Sequence, residues 1–232
     1  AHVLAADLAD PGTPQRIFAE ARKHFERLDV LVNNAAIVGP LGNFWETDAA
    51  EWKRALAVDL LAPLDLCRLA VPWMRDARAG SIINVSGGGA TTPSPAFSAY
   101  GTAKAALVRF SETLAQEVAG DGIRVNCVAP GLMRTALVDE ILAAGPERLG
   151  EKEFRRITSQ VASSAVPPER AARLCVFLAS SESAGINGKI ISAVWDPWES
   201  LAAHADDLRD SDIYTLRRIT PEDRGRNWPR HS

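Results

Sequence analysis

The chain has 232 residues, of which 47% are hydrophobic, and a formal net charge of −3. This length suits one domain with a short tail, and the hydrophobic share is ordinary for a globular protein. The charge gives no indication of a nucleic-acid partner. No apolar run approaches the roughly 20 residues that cross a bilayer, and no signal-peptide pattern opens the chain, so we expect a cytoplasmic protein without a membrane partner.

The cysteines and histidines argue against both disulfides and metal. Cys67, Cys127 and Cys175 are far apart, odd in number and set in apolar segments. This usage is typical of reduced, buried thiols in a cytosolic protein. No Cys-x-x-Cys or His-x-x-x-His spacing occurs. We therefore predict that the protein has no metal site.

Short apolar runs alternate with helical patterns along the chain. Strands that are apolar throughout are buried on both faces, as parallel strands covered by helices are. The alternation therefore predicts an α/β fold built on a doubly wound parallel sheet with helices on both faces. We predict strands at 3–6, 28–32, 81–86, 123–128 and 189–193, and helices at 14–27, 47–78, 98–119, 137–160 and 167–179.

Four of these strands end in polar or glycine-bearing segments, at Asp7, 33–36, 86–89 and 130–135. In parallel sheets, ligands bind beyond the carboxyl ends of the strands. Four such segments at one edge are harder to explain by chance than any one of them. The sequence therefore predicts a binding crevice at this edge.

Tyr100 and Lys104 are four residues apart in a predicted helix, which places them on one face. A free tyrosine titrates near pH 10, roughly, and a nearby lysine lowers that pKa by stabilising the phenolate. A hydroxyl at the end of the preceding strand, such as Ser86, can hold a carbonyl or alcohol oxygen against the phenol. By itself, Tyr-x-x-x-Lys on a helix is more often a solvated pair.

Several segments, taken in order, resemble the short-chain dehydrogenase/reductase family over roughly residues 3–195. They are Asp7-Leu8, LDVLVNNAA (28–36), INVS (83–86), YGTAK (100–104), GIRVNCVAPG (122–131) and Thr135. The resemblance implies a Rossmann-like domain at 1–198, followed by a C-terminal extension or tail at 199–232. It implies an NAD(P)-dependent oxidoreductase that transfers a hydride between NAD or NADP and a small alcohol or ketone. It also implies a homodimer or homotetramer.

The same resemblance assigns roles to individual residues. Tyr100 would be the general acid/base, Lys104 would lower its pKa and hold the nicotinamide ribose, and Ser86 would hold the substrate oxygen. The positions that match cofactor contacts in the family are Asp7, Leu8, Asn34, Ala35, Ala36, Tyr100, Lys104, Pro130, Gly131 and Thr135.

Two residues depart from the family pattern near this site. Gly87 stands where the catalytic serine is common; Ser86 is the first substitute, and Ser98 and Ser94 are weaker ones. Asp59 stands where the family often has an asparagine. An ionised aspartate cannot donate a hydrogen bond to a proton-relay water, and the alternative interpretation of Asp59 is a charge on a helix face.

A third departure concerns the beginning of the chain. Family members start with a strand, a glycine-rich turn that carries the cofactor's pyrophosphate, a helix and a second strand, and nothing in residues 1–30 replaces them. We expect that the sequence, which begins with alanine, is a fragment lacking the N-terminal Gly-rich strand-turn-helix. We also expect the strand at 28–32 to have a bare, apolar edge.

These departures keep two alternative functions open. One is a non-catalytic binding or scaffold protein related to the family. The other is a nucleotide-sugar epimerase or dehydratase that uses the same tyrosine and lysine with a retained cofactor. The short substrate-binding region weighs against the second.

Overall fold

The sheet lies at the centre of the computed structural model, which describes residues 1–164 and 166–228. Over those residues it has four strands, all parallel, in the order β1-β2-β3-β4. The carboxyl ends of all four strands therefore lie at one edge, as the sequence predicted. The strands are β1 Val30–Asn33, β2 Gly80–Val85, β3 Ile123–Ala129 and β4 Ile190–Ser192.

Helices cover both faces of this sheet, which confirms the predicted α/β architecture. Neighbouring residues of β2 show the two faces: Ile82 packs in a cluster with side chains of α1, α3 and α4, and Ile83 packs in a second cluster with α8. The helices are α1 Thr13–Ala21, α2 Ala49–Leu56, α3 Ala62–Ala77, α4 Ser98–Glu117, α5 Ala136–Ala143, α6 Gly145–Leu149, α7 Glu151–Ser164, α8 Pro168–Ala179 and α9 Ala205–Arg209.

The predicted strand at 3–6 is wrong. Residues 1–7 form no regular element, and Val3 is 95% exposed. A strand is stable only when it pairs with a neighbour, and these residues pair with none in the described sheet. β1 is an edge strand, as predicted, and Val32 on it is 43% exposed.

The predicted helix at 47–78 is continuous but changes its winding. Asp48 caps it by accepting hydrogen bonds from the amides of Ala50 and Glu51. A π-helical stretch, Ala57–Leu61, separates α2 from α3. The other helical boundaries also shift: α1 ends at Ala21, and the region 137–160 divides into α5, α6 and α7.

Residues that follow β4 in the chain return to lie beside β4, at the edge of the sheet. The Tyr214 carbonyl accepts a hydrogen bond from the Ile190 amide at 2.8 Å. The Lys189 ammonium donates to the Ser211 carbonyl at 2.8 Å, and the Leu216 amide donates to the Glu112 carboxylate at 2.6 Å. This part of the predicted tail is therefore attached to β4 and α4. Over the described residues, no helix combines the length and the apolar character that crossing a membrane requires.

Candidate active site

Tyr100 and Lys104 both lie on α4, which begins at Ser98 as predicted; Lys104 is buried and Tyr100 is partly buried. The side chain of Lys104 is only 2% exposed. Its ammonium donates to the carbonyl of Val85, the last residue of β2, at 3.1 Å. The same nitrogen lies 5.6 Å from the centre of the Tyr100 ring. The pair is therefore not the solvated one that composition alone would suggest.

Asp59 is the site residue whose role the sequence did not reveal. It is fully buried in the π-helical stretch. One carboxylate oxygen accepts the Ile37 amide at 2.9 Å, and the other lies 3.6 Å from the Lys104 nitrogen. The second distance is that of an ion pair and is too long for a good hydrogen bond. Asp59 does lie on a helix, but it is fully buried beside Lys104 and so is more than a charge on a helix face.

The electrostatics of this cluster also differ from expectation. Burial, together with the negative charge of Asp59, raises the pKa of Tyr100 to about 12. Burial lowers the pKa of Lys104 and raises that of Asp59, while their mutual attraction opposes both shifts. We expected Lys104 to lower the pKa of the phenol. Instead, its cation is directed towards Asp59 and the Val85 carbonyl.

The end of β2 brings two residues of interest near the tyrosine. Ser86 is buried, and its hydroxyl has no hydrogen-bond partner among the described residues. A Cβ atom built on Gly87 would lie 2.8 Å from the Tyr100 hydroxyl. The residue at the position of the family's usual serine therefore borders the phenol, although in this chain it carries no side chain.

A buried polar network holds α4 against the sheet beneath this site. The Asn33 amide group donates to Asn84 at 2.8 Å, Asn84 donates to Ser111 at 2.7 Å, and Ser111 donates to the Leu107 carbonyl at 2.7 Å. These bonds connect β1, β2 and α4. They help to fix α4 against the two strands, and the Asn33 side-chain oxygen is the part of the network without a partner among the described residues.

Most of the positions that the resemblance assigns to the cofactor follow the carboxyl ends of β1 and β3. Asn34 and Ala35 are exposed and Ala36 is half-buried, directly after β1. After β3, Pro130 is buried and Gly131 is exposed with a φ of 83°, and Thr135 precedes α5 as its N-cap. They lie at the same edge as Tyr100 and Lys104.

Asp7 and Leu8 do not join this group through a strand. The Asp7 carboxylate is exposed and lies 3.4 Å from the Arg54 guanidinium of α2. Leu8 packs instead against the apolar cluster between α1, α3 and the sheet. Asp7 therefore does not follow a strand, which is where the resemblance would place its contact with the cofactor.

Apolar side chains from the loops and helices around the site pack against the Tyr100 ring. The cluster includes Phe97, just before α4, and Ile141, Leu149 and Ile157 from α5, α6 and α7. An apolar cluster of this kind excludes water, and the lower local dielectric strengthens electrostatic interactions inside the site.

Comparison with known proteins agrees with this arrangement. The family model described as enoyl-(acyl carrier protein) reductase matches residues 1–193. The chain is 33% identical over 177 residues to human dehydrogenase/reductase SDR family member 4, an alignment that spans 76% of this chain and 62% of that protein. It is 32% identical over 187 residues to the 3-oxoacyl-[acyl-carrier-protein] reductase FabG of Thermotoga maritima, covering 80% and 72% of the two chains.

A solved structure is similar over the same region. YwfH, described as an NADPH-dependent reductase involved in bacilysin biosynthesis, superposes with a TM-score of 0.72 at 28% identity. The match covers 82% of this chain and 75% of YwfH. The family model matches most of the chain, and the relatives, the parallel sheet and the Tyr100–Lys104 pair agree with it. The chain therefore belongs to the short-chain dehydrogenase/reductase family.

Proposed function

We propose that this chain is an oxidoreductase that transfers a hydride between NAD or NADP and a small alcohol or ketone. The observation that carries the proposal is that a buried Lys104 and a partly buried Tyr100 lie together at the carboxyl edge of the sheet. A phenol and an ammonium in one water-poor site can move a proton to or from a substrate oxygen.

The bound nicotinamide would supply or accept the hydride. For carbonyl reduction, the Tyr100 hydroxyl gives its proton to the carbonyl oxygen; for alcohol oxidation, the phenolate takes the proton back. A Lys104 ammonium has three donors. One meets the Val85 carbonyl and one faces Asp59, so a further donor remains for a ribose hydroxyl.

Other residues would hold the cofactor and the substrate. The segment 34–36 lets the backbone approach the cofactor, and Pro130, Gly131 and Thr135 would receive the nicotinamide carboxamide. Ser86 would hold the substrate oxygen, and its unpartnered hydroxyl is available for that role. The named activities of FabG and YwfH as reductases support this reaction class. We further expect a cytoplasmic homodimer or homotetramer.

Fluorescence titration with NADH and with NADPH tests the first half of this proposal. Saturable binding of either one supports it, and a folded chain that binds neither contradicts it. A binding-competent chain is then assayed with a panel of ketones. Tyr100→Phe should reduce turnover by orders of magnitude while leaving cofactor binding nearly intact.

The matched control for that substitution is Tyr214→Phe, which changes the second of the chain's two tyrosines. Tyr214 lies in the segment that hydrogen-bonds to β4, and its side chain packs against the apolar cluster that includes α8. Turnover that survives Tyr100→Phe unchanged would remove Tyr100 from the reaction.

Gly87 favours a second function, a binding protein of the same family without turnover. This glycine occupies the position from which a serine side chain would otherwise border the Tyr100 hydroxyl. Saturable cofactor binding without turnover of any carbonyl in the panel would support that alternative.

A further inference from the structure

Asp59 joins three parts of the site that lie far apart in the sequence. One of its oxygens accepts the amide of Ile37, in the loop after β1, at 2.9 Å. The other faces the Lys104 ammonium of α4 at 3.6 Å. That ammonium in turn donates to the last carbonyl of β2 at 3.1 Å. A single carboxylate therefore links the ends of two strands with the helix that carries Tyr100.

The backbone around Asp59 is shaped for this contact. The helix that is α-helical on both sides becomes π-helical over Ala57–Leu61, and Asp59 in its middle is completely buried. π-Helical turns within α-helices occur frequently at functional sites. Burying a carboxylate also requires a partner, because an isolated buried charge is strongly unfavourable.

The ion pair between Asp59 and Lys104 changes the net charge beside the Tyr100 phenol. A lone ammonium beside a phenol favours the phenolate, whereas an ammonium already paired with a carboxylate presents little net charge. Among the titratable groups on the elements packed here, the negative charge of Asp59 raises the pKa of Tyr100. Asp59 and Cys127 of β3 both act to raise the pKa of Lys104, against the effect of burial. Cys127 is a fully buried thiol whose pKa is raised to about 12, so it is neutral at ordinary pH.

We propose that Asp59 is a positioning residue that holds the Lys104 ammonium on the Val85 carbonyl and keeps Tyr100 in its phenol form. It acts on the reaction through Lys104 and Tyr100. A tyrosine kept as a phenol is ready to donate a proton to a carbonyl oxygen. At neutral pH, the site is therefore set for carbonyl reduction, and alcohol oxidation speeds up only as the pH rises. This inference rests on the proposed oxidoreductase function, but its test does not require turnover.

The test measures the ionisation of Tyr100 directly. The chain has two tyrosines, so in a Tyr214→Phe background Tyr100 is the one tyrosine left. Its titration is followed by the ultraviolet difference absorbance of tyrosinate, without cofactor or substrate. In this background, Asp59→Asn should lower the titration midpoint of Tyr100 by about one unit or more, because it removes a negative charge that opposes the phenolate.

Asp65→Asn is the matched control. It removes the same charge from the same continuous helix, but Asp65 is 36% exposed and lies 3.8 Å from Arg68. This variant should leave the midpoint unchanged. A folded Asp59→Asn protein whose midpoint is unchanged or higher overturns the proposal. Circular dichroism at each pH establishes that the protein is still folded.

A second measurement decides the matter if Asp59→Asn does not fold. The Tyr214→Phe parent must itself keep more than half of Tyr100 protonated at pH 10, about the midpoint of free tyrosine. A midpoint at or below that value contradicts the proposal. Because neither titration involves a substrate, a chain without oxidoreductase activity can still show the Asp59 effect. Likewise, an active enzyme can lack it, so the two proposals fail separately.

Discussion

The Tyr100 hydroxyl lies so close to the backbone of Gly87 that a Cβ atom on this glycine would be 2.8 Å from it. The backbone of Gly87 is extended, with a φ of −173°, so conformation does not require glycine here. What restricts the position is the close approach of the phenol. Since the contacted atom is the end of a side chain, a small movement of Tyr100 can relieve the contact.

This relationship predicts different results for two substitutions. Gly87→Ala adds a methyl group that displaces the phenol and offers nothing in return, so turnover should fall by about tenfold or more. Gly87→Ser adds the same Cβ atom together with a hydroxyl that can donate to the substrate oxygen. It should therefore retain more turnover than the alanine variant. The comparison of kcat for the two variants checks this, and equal losses would contradict a donor role at position 87.

Ser86→Ala separates a structural role of Ser86 from a catalytic one. Its hydroxyl is buried without a partner among the described residues, so removing it should not lower the unfolding free energy and should raise it by about 1 kcal/mol. Losing a donor to the reacting oxygen typically costs about 10² to 10³ in rate. We expect a drop of about that size in kcat, measured beside urea unfolding. Full activity in Ser86→Ala would exclude it from the substrate site.

Asn84→Ala should destabilise the fold by about 2 kcal/mol or more. The substitution leaves the Asn33 amide and the Ser111 hydroxyl each without one buried partner, and each such loss costs about 1–3 kcal/mol. Asn43→Ala is the control, because the side-chain bond that Asn43 makes to Glu46 is exposed. That variant should stay within about 0.5 kcal/mol of the parent in urea unfolding. Similar values for both variants would rule out a structural role for the network.

Stability should fall as the pH rises above about 9. Burial raises the pKa values of Cys67, Cys127 and Tyr100 to about 12 in the folded protein. In the unfolded chain these groups lose their protons at roughly 8.5 for cysteine and 10 for tyrosine. Between the two sets of values the folded state binds more protons, so the free energy of unfolding decreases with pH. Urea unfolding at pH 8 and pH 10.5 measures this, and a flat or rising profile would contradict it.

The three thiols should also differ in reactivity. Cys67 and Cys127 are 1% exposed, whereas Cys175 on α8 is half-buried. A thiol reagent applied to the native protein should modify Cys175 first and reach the other two only on unfolding, because the thiolate must be accessible to react. Mass spectrometry of the modified peptides identifies the order. Early modification of Cys127 would show that β3 opens in the native state.

The sequence determined the fold class and the placement of the reactive pair. Apolar runs alternating with helical periods produce a parallel sheet, and a spacing of four on a helix puts Tyr100 and Lys104 on one face. These are local properties, which depend on neighbours in the chain and can be read from it. The strand at 3–6 was wrong because a strand also needs a partner beside it, and pairing is not a local property.

Tertiary structure alone decided what Lys104 contacts. Asp59 is far from Lys104 in the chain, and its burial depends on a π-helical turn that the sequence pattern does not distinguish from an α-helical one. The same holds for the contact between Gly87 and the Tyr100 hydroxyl. The charge that a phenol senses depends on distances of a few ångströms in a water-poor interior. Those distances are set when the strands, loops and helices pack together.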